Sequence, residues 1–290
     1  MQEILVTEQL THTYSADTPF EHKALQGIDF SLHAGEFVGI IGHTGSGKST
    51  FIQHLNGLLS PTEGKMRYEG IDIAEDKAKR RQLRFSVGLV FQYPEYQLFE
   101  ETVEADIAFG PKNMGLSKED IAKRVAYAAK LVGLSEHQLK KSPFALSGGQ
   151  KRRAAIAGVL AMYPKVLILD EPTAGLDPQG KREILRHIKA YQKEKNAAVI
   201  MVSHSMEDIA SMADRILVFA KGSLVLEGSP SEIFSKVKML REIGLDIPEA
   251  AEIASYLRER GLSLPTDIFT VEALAAHLAN CGKHRGDNLC

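Results

Sequence analysis

A glycine-rich segment between an apolar run and a helical pattern constrains the fold of this chain more than any other feature. It consists of Gly42, His43, Thr44, Gly45, Ser46, Gly47, Lys48 and Ser49, which fit the pattern G-x-x-x-x-G-K-[ST]. The apolar run at 37–42 is typical of a strand buried on both faces, and a helical pattern follows from Lys48 to about Leu58. Glycines let the backbone turn tightly, so that successive N–H groups point at phosphate oxygens. The segment therefore predicts a phosphate-binding loop, with an ordinary glycine-rich turn as the alternative.

Two side chains at the end of this loop indicate what it binds. Lys48 is placed to reach the β- and γ-phosphates of a nucleotide, and the hydroxyl group of Ser49 is placed to bind Mg²⁺. The N-terminus of the following helix adds partial positive charge. Together these features predict a nucleotide bound with its magnesium ion.

Two carboxylates follow another strand pattern. The apolar run at 166–169 ends at Asp170 and Glu171, and ligands of open α/β sheets bind beyond the carboxyl ends of the strands. We expect Asp170 to lie in the magnesium shell. Because side chains alternate along an extended chain, Glu171 points elsewhere and is placed to polarise a water for in-line attack on the γ-phosphate. The alternative is an acidic turn after a core strand.

Two further polar residues follow apolar runs. Gln92 comes after the run at 87–91 and is placed to touch both the metal and the attacking water. His204 follows the run at 197–202 and is placed to hydrogen-bond the γ-phosphate. A lone glutamine or histidine is more often a surface or packing residue, so both interpretations depend on the neighbouring motifs.

Strand and helix patterns alternate along most of the chain. Strand patterns lie at 4–10, 25–32, 37–42, 166–169, 197–202 and 215–219. From about 94 to 164 the pattern is helical, with Ser117 and Ser135 at the spacing of capping boxes. This order predicts an α/β fold with a mostly parallel sheet and a helical subdomain at about 94–164.

The chain changes character after Gly228. Ser229, Pro230 and Glu232 supply an N-cap, a first-turn proline and a capping-box partner. Apolar residues at 247, 250, 254 and 257, and at 271, 274 and 278, then recur at helical spacing. This tail has too few apolar residues for an independent core. We predict a main domain over 1–230 and a C-terminal helical extension over 231–290 that packs on the main domain or on a partner.

Composition disfavours several classes of protein. The formal charge of -2, from 35 basic and 37 acidic residues, argues against a broad basic face and a nucleic-acid partner. Cys281 and Cys290 cannot form a disulfide framework, which suits a reducing compartment. No apolar stretch approaches the roughly 20 residues of a spanning helix, and 1–10 lacks the features of a signal peptide. We expect a cytoplasmic protein that other subunits hold at any membrane where it works.

A second glycine-containing helix start completes the pattern. Leu146, Ser147, Gly148, Gly149 and Gln150 precede a helical stretch at 151–162 and predict a second anion site. At this point the chain resembles the ATP-binding-cassette (ABC) ATPases. The loop at 42–49, Gln92, LSGGQ at 146–150, LILDEP at 167–172, AGLD at 174–177 and His204 stand in that family's order and spacing. The resemblance covers roughly residues 1–230 and implies a P-loop NTPase, ABC-type nucleotide-binding domain with antiparallel N-terminal strands.

The resemblance implies a role for each matching residue. The loop residues 42–49 and Thr50 would bind ATP, while Ser49, Gln92 and Asp170 would form the magnesium environment. Glu171 resembles the catalytic base and His204 the switch histidine, with Gln92 beside the reacting phosphate.

The remaining roles concern a second chain and the base of the nucleotide. Ser147, Gly148, Gly149 and Gln150 would cap a γ-phosphate bound by another subunit, with Asp177 lining the dimer interface. Tyr14 matches the aromatic residue that stacks on adenine, and an ordinary half-buried strand tyrosine is the alternative. Because a phosphate tail bridges two surfaces only while the γ-phosphate is present, ATP binding would close such a dimer and product release would open it.

The segment at 91–111 resembles one subfamily of the ABC ATPases in particular. FQYPEYQLFEETV at 91–103 and DIAFGP at 106–111 are similar to the ATPases of energy-coupling-factor (ECF) transporters, most of all to the second ATPase, A-prime. IPE at 247–249 and GLSLP at 261–265 are also similar to that family. This implies a peripheral ATPase on the cytoplasmic face of the membrane, powering uptake of vitamins or transition-metal ions.

The implied partners are a second, similar ATPase in a heterodimer, a transmembrane coupling (T) subunit and a membrane substrate-binding (S) subunit. The extension at 231–290 would be a dimerisation region. Two alternatives stay open: the homodimeric ATPase of a conventional ABC importer, and a soluble, non-transport ABC ATPase.

Three acids shortly after Gln92 suggest where the coupling subunit binds. We expect Glu95, Glu100 or Glu101 to receive an arginine from a cytoplasmic coupling helix, because an arginine–carboxylate pair gives bidentate contact. The alternative is that all three are solvated surface acids.

Overall fold

A computed structural model describes residues 3–74 and 77–283 of the chain, except the side chains of 77 and 280–283. The strands are β1 Glu3–Tyr14, β2 His22–His33, β3 Phe37–Ile41, β4 Glu63–Tyr68, β5 Ile71–Asp72, β6 Val87–Val90, β7 Val166–Asp170, β8 Ala198–Val202, β9 Arg215–Ala220 and β10 Ser223–Gly228.

The helices alternate with these strands. They are α1 Lys48–Leu55, α2 Lys77–Ser86, α3 Val103–Asn113, α4 Lys118–Leu131, α5 Glu136–Leu139, α6 Gly148–Leu160, α7 Pro178–Lys195, α8 Met206–Met212, α9 Pro230–Phe234, α10 Val237–Glu242, α11 Glu249–Glu259 and α12 Val271–Lys283. Two short 3₁₀ turns lie at Pro94–Gln97 and Pro143–Ala145. The described chain divides into two compact units, one of residues 3–36 and 49–202 and one of residues 37–48 and 203–283.

The first unit contains an antiparallel sheet and a set of parallel strands. The antiparallel sheet has the order β2-β1-β4-β5, and its inner face is apolar. Strands β6, β7 and β8 pair in parallel, with Val90 opposite Leu169 and Asp170 opposite Val202. Nearly every residue of these three strands is buried, as expected for a parallel sheet covered on both faces.

The stretch from Pro94 to Pro164 contains helices and no strand. Helix α6 packs on β6 at very close range. A Cβ atom at Gly88 would lie only 2.6 Å from the Val159 side chain, so the packing depends on glycine at this position. Ser135 forms a complete capping box with Gln138, whereas Ser117 caps α4 from the side chain only. The α/β class with a mostly parallel arrangement, antiparallel N-terminal strands and a helical region is confirmed.

The second unit contains β3, β9 and β10. β3 pairs in parallel with β9, and β9 pairs antiparallel with β10. All five residues of β3 are buried, and the Phe37 amide at its start donates to Asp214 over 2.8 Å. This unit also carries α8 and the C-terminal helices α9 to α12.

The C-terminal region is helical, as predicted, and contains a small core that we did not expect. Ala250 and Ala254 of α11 pack with Leu264, Ile268 and Leu274. The capping box at Ser229 and Glu232 is present. Residues 284–290, with Cys290, and the Cys281 side chain lie outside the described part of the chain, and the boundary at 230 stays a prediction. Among the described residues, no helix has the length and apolar character needed to cross a bilayer.

Three antiparallel strands, β4, β5 and β10, were not predicted from the sequence. β4 and β5 carry few apolar residues, but Met66 and Tyr68 alternate with exposed side chains and are buried. Strand β10 is only partly buried along its length. Each of these strands is antiparallel, so its backbone partner rather than its own hydrophobicity defines it.

One buried hydrogen bond offers a direct test of the packing of α7. The Tyr191 hydroxyl group donates to the Pro164 carbonyl over 2.9 Å, and Tyr191 has no exposed surface. We predict that Tyr191→Phe lowers stability by about 1–3 kcal/mol, because it leaves a buried carbonyl unsatisfied. Thermal unfolding should show a fall of roughly 2–10 °C. Tyr256→Phe, at a side chain that is 53% exposed, is the matched control and should leave the midpoint unchanged.

Candidate functional site

The loop after β3 requires glycine at two positions. A Cβ atom at Gly42 would lie 2.4 Å from the Phe219 carbonyl oxygen, so the loop leaves β3 pressed against β9. Gly47 has φ 102°, in the region that favours glycine. The Ser46 amide donates to His43 O over 3.2 Å, and the Gly222 amide donates to Ser46 O over 3.0 Å. The loop is therefore held in one tight curve.

Lys48 lies inside the curve of this loop. Its Nζ donates to the carbonyl oxygens of Gly42 at 2.6 Å and His43 at 2.9 Å, and the side chain is only 7% exposed. A buried ammonium group needs such partners, since an unpaired charge away from water is costly. The two carbonyls hold a cation at the centre of the predicted phosphate cradle, while Thr44 and Gly45 are exposed at its rim.

Ser49 and Asp170 meet within the first unit. The Ser49 hydroxyl group lies 3.4 Å from Asp170 Oδ2, at the carboxyl end of β7. A hydroxyl and a carboxylate are the hard oxygen ligands that Mg²⁺ accepts, usually as one or two protein ligands beside phosphates and waters. In the stretches 3–74 and 77–283, no group of three or more His, Cys, Asp or Glu residues forms a metal cluster. The Ser49–Asp170 pair thus fits a magnesium ion that is shared with phosphate.

Glu171 adopts a strained backbone conformation beside this pair. Its φ is 49°, which is unusual for a residue with a side chain and costs of order 1–3 kcal/mol. The Glu171 amide donates to Val202 O over 3.0 Å, and the Ala174 amide donates back to Glu171 O over 3.2 Å. Its side chain is 8% exposed. The strain turns the chain sharply, so that consecutive carboxylates leave β7 in different directions.

Gln92 stands at the same edge of the parallel strands. It follows β6 by two residues, and the β6–β7 register puts the carboxyl ends of both strands side by side. Its side chain is exposed, and so is that of His204, two residues beyond β8. The structure thus brings Gln92, Asp170 and Glu171 to one edge within the first unit.

Tyr14 lies at the end of β1, near α1. Its hydroxyl group is 3.3 Å from Thr50 Oγ1, and its ring is 39% exposed. Its ring meets the His12 ring edge-on at 4.4 Å, and His12 in turn meets His54 of α1 at 4.7 Å. Two predicted nucleotide-binding residues, Tyr14 and Thr50, are therefore neighbours, on a support of two histidine rings.

His54 is the buried end of this ring stack. Burial in the first place, and then the charges of His12 and Arg80, lower its pKa from 6.5 to about 4. It has no exposed surface, and neither ring nitrogen has a hydrogen-bond partner. His54 therefore stays neutral near pH 7.

The segment at 146–150 forms the start of α6. Ser147 is the N-cap and forms a full capping box with Gln150. Apart from the adjoining backbone, no atom lies within 4 Å of a Cβ built at Gly148 or Gly149, so there is open space beside both residues. Asp177 caps α7 by accepting from the Gly180 amide at 2.8 Å. Ser147, Gln150 and Asp177 therefore have structural roles in addition to those predicted for them.

Glu95 differs from what we expected. Its two carboxylate oxygens accept from Arg152 at 3.0 and 2.6 Å in a bidentate pair. Burial alone would raise the pKa of Glu95, but the hydrogen bonds and charge of Arg152 outweigh it and hold the pKa below its ordinary value. Because an arginine of this chain already pairs with Glu95, Glu100 and Glu101 are the better candidates of the three predicted acids for an arginine of another subunit. Glu100 and Glu101 remain partly or fully exposed.

Arg152 is a buried residue beside the predicted site that sequence reasoning missed. It is 3% exposed, and beyond Glu95 it donates to the carbonyl oxygens of Pro172 at 3.4 Å and Ala174 at 2.5 Å. The only signal in the sequence is its place two residues after LSGGQ, and neither its burial nor its partners can be read from that spacing.

Comparison with known proteins agrees with the motifs. A family model described as "ABC transporter" matches residues 25–174. A protein of Clostridium tetani named "Energy-coupling factor transporter ATP-binding protein EcfA2" is 53% identical over 97% of this chain and 98% of its own length. A protein of Clostridium perfringens with the same name is 56% identical over 91% of this chain and 93% of its own length.

Solved structures with the same fold are also similar. CbiO1 from Clostridium perfringens, described as part of the ABC transporter complex cbiONQ, is 40% identical with a TM-score of 0.74 and covers 89% of this chain and 100% of its own. The ATP-binding cassette MJ0796, in a dimeric post-hydrolysis state bound to ADP and Pi, is 28% identical with a TM-score of 0.71 and covers 78% of this chain and 99% of its own.

Because His54 is buried and neutral, we predict that the stability of the fold decreases at acidic pH. Its pKa is lower in the folded state, so between pH 6.5 and about 4 the unfolded chain binds a proton that the folded chain does not. Stability from this residue is full above pH 6.5 and falls as the pH drops, by about 1 kcal/mol at pH 5.5 and at most about 3 kcal/mol.

His54→Leu should therefore narrow the gap between the thermal midpoints at pH 7.5 and pH 5.5. His137→Gln, at an exposed position, is the control and should keep the wild-type gap. An equal gap in wild type and His54→Leu would contradict the assignment.

Proposed function

Since the chain belongs to the ABC transporter family, we propose that it is the ATP-hydrolysing subunit of an energy-coupling-factor importer. It is an ATP hydrolase with the ABC-type nucleotide-binding fold. The observation that carries the proposal for the site is the Ser49–Asp170 contact, which joins the residue after the loop lysine to the first carboxylate of LILDEP. Similarity over nearly the whole chain to proteins named as energy-coupling-factor ATP-binding proteins supports the subfamily.

In this proposal the loop and its lysine bind the phosphates of ATP. The amides of the loop at 42–49 face phosphate oxygens, and Lys48 exchanges its carbonyl partners for β- and γ-phosphate oxygens. Tyr14 stacks on adenine, with Thr50 beside its hydroxyl group. Positioning by these residues supplies much of the catalysis in phosphoryl transfer.

Hydrolysis depends on the carboxyl edge of β6 and β7. Ser49, Asp170 and Gln92 would hold Mg²⁺, which neutralises charge on the phosphate oxygens when it is bound. Glu171 accepts the proton of the attacking water, and its rigid, left-handed backbone fixes the direction of the carboxylate. His204 donates a hydrogen bond to the γ-phosphate.

A second ATPase chain completes the site. Gly148 and Gly149 lie at the start of α6 with open space beside both residues, so the LSGGQ segment of one chain can approach the γ-phosphate held by the other. Asp177 lies at the exposed start of α7, where we place the dimer interface. We propose a heterodimer with a similar ATPase, with the extension at 231–290 contributing to dimerisation.

An apolar groove in the first unit suits a transmembrane coupling subunit. The groove has a volume of about 390 Å³ and is lined mainly by residues of α2, α3 and α6 and of the segment at 97–99, with Arg84 among them. Phe99 and Phe109 meet edge-on at 5.0 Å across it and are 61% and 42% exposed. Two exposed aromatic rings beside an apolar cavity are typical of a surface that a partner covers.

Glu100 and Glu101 directly follow Phe99, a lining residue of the groove, and suit a basic partner segment. The buried Asp106 carboxylate accepts from the amides of Phe99 at 3.1 Å and Glu100 at 3.2 Å, which fixes this segment in place. Glu100 and Glu101 are then the acids available to an arginine of a coupling helix. We place the chain as a peripheral protein on the cytoplasmic face of the membrane, with a T subunit in this groove and an S subunit that binds vitamins or transition-metal ions.

The role of Glu171 can be tested by one substitution. We predict that Glu171→Gln binds ATP with near wild-type affinity but lowers kcat by about 10²–10⁴-fold, because an amide cannot accept the proton of the water. Nucleotide binding and phosphate release should be measured on the intact complex. Glu136→Gln, at an exposed position of α5, is the control. Wild-type turnover in Glu171→Gln would contradict the assignment of the base.

The groove can be tested independently of catalysis. We predict that Phe109→Asp abolishes co-purification with the membrane subunits, because it places a charge in an apolar contact, while ATP binding is kept. Phe20→Asp, at an aromatic ring that is 84% exposed and outside the groove, should assemble normally. Normal assembly of Phe109→Asp would exclude this groove as the docking surface.

Purification of the intact complex separates the alternatives. Recovery of two different ATPases with membrane subunits supports the energy-coupling-factor assignment. Recovery of this chain as the only ATPase indicates a conventional importer with a homodimer. Absence of any membrane protein indicates a non-transport ABC ATPase.

A further inference from the structure

Arg152 contacts two segments that leave the parallel strands at strained residues. Tyr93, after β6, and Glu171, after β7, both have left-handed backbones, with φ 54° and 49°. Arg152 binds the chain just beyond each of them. Its guanidinium carbon lies 5.8 Å from the centre of the Tyr93 ring, and its nitrogens pair with Glu95 on one side and reach the Pro172 and Ala174 carbonyls on the other.

The contacts of Arg152 use the geometry of a guanidinium group. Nε and Nη2 form the bidentate pair with Glu95, and Nη1 serves both carbonyls of the loop after Glu171. An arginine presents five donors in a rigid fork, whereas a lysine presents one compact ammonium group that cannot reach all of these acceptors together. The side chain is almost fully enclosed, and each of its three nitrogens has an acceptor in this chain.

We propose that Arg152 is a positioning residue that couples the segment carrying Gln92 to the loop carrying Glu171, and both to the helix that begins with the LSGGQ motif. The inference rests on the proposed function, because it assigns Arg152 a role in the ATP hydrolysis assigned above. Arg152 touches none of the reacting atoms. It acts by fixing the positions of Glu171 and Gln92 relative to each other and to α6.

This coupling connects three parts of the structure that act in the proposed cycle. The groove for the membrane subunit lies beyond Glu95, the catalytic carboxylate precedes Pro172, and the second chain meets the start of α6. A shift of α6 on dimer closure moves Arg152, and with it both loops. Loss of the bridge should therefore affect the rate of hydrolysis far more than the binding of nucleotide, since the phosphate loop is not among its contacts.

The test compares substitutions on both sides of the bridge in the intact complex. Arg152→Lys keeps the charge but loses the fork, and we expect kcat to fall about 10–100-fold while the KM for ATP changes by no more than about 3-fold. Glu95→Gln keeps the loop contacts of Arg152, and we expect a fall of about 3–10-fold. The double variant should be no slower than Arg152→Lys alone, because both substitutions break the same bridge.

The ion pair made by the next residue of α6 with a residue of α7 supplies the controls. Arg153 Nη1 lies 3.2 Å from Glu183, and the two side chains are 19% and 33% exposed. Arg153→Lys and Glu183→Gln repeat the same chemical changes one residue away, and each should leave kcat within about 2-fold of wild type. Thermal midpoints and nucleotide-binding stoichiometry show that each variant is folded and has its full number of sites.

The outcomes separate this inference from the proposed function. Wild-type kcat in both Arg152→Lys and Glu95→Gln, or a double variant whose loss is the product of the two single losses, would overturn the inference while the protein still hydrolyses ATP. A loss in the Arg153 and Glu183 controls equal to that in Arg152→Lys would overturn it as well. Failure of the wild-type complex to bind or hydrolyse ATP would instead refute the proposed function.

Discussion

The parallel register of β6, β7 and β8 is the constraint on which the candidate site depends. Backbone hydrogen bonds align the last residues of these strands, with Val90 opposite Leu169 and Asp170 opposite Val202. The strands are apolar and buried, so the first polar residues after each strand must emerge at one shared edge. The strand register therefore places Gln92 and Asp170 at the same edge, although they are about eighty residues apart in the sequence. Their side chains need not touch for this to hold.

Buried basic side chains of this chain fall into two groups. Lys48 and Arg152 keep their charges, because carbonyl and carboxylate oxygens of the chain surround them. His54 has no such partner and gives up its charge instead, with a pKa of about 4. The difference follows from proton affinity, since arginine and lysine hold their protons far more tightly than histidine does. Buried cations with oxygen partners and a neutral histidine beside His12 and Tyr14 therefore occur in the same chain.

Sequence reasoning predicted the local motifs and missed what depends on tertiary burial. The loop at 42–49 and the carboxylates after β7 follow from short-range rules of turns, strands and helix starts. Strands β4 and β10 were not predicted, because a short, half-polar strand is defined by its antiparallel partner. Glu95 was expected at the surface, yet Arg152 lies one helical turn into α6 and reaches it across 57 residues of sequence. Hydrophobic periodicity in the sequence does not indicate an ion pair between residues so far apart.

The start of α6 is already ordered in the single chain, which suits the role toward a second chain that we propose for it. Ser147 and Gln150 satisfy each other's backbone amides, so the first turn is held without help from a ligand. The two glycines between them leave space for close approach of a phosphate. Because the turn is already ordered, little conformational entropy remains to be lost on dimer closure, and more of the binding free energy is available to stabilise the closed state. Arg152 lies in the second turn of the same helix, so the surface that meets a partner and the bridge to Glu171 form one rigid piece.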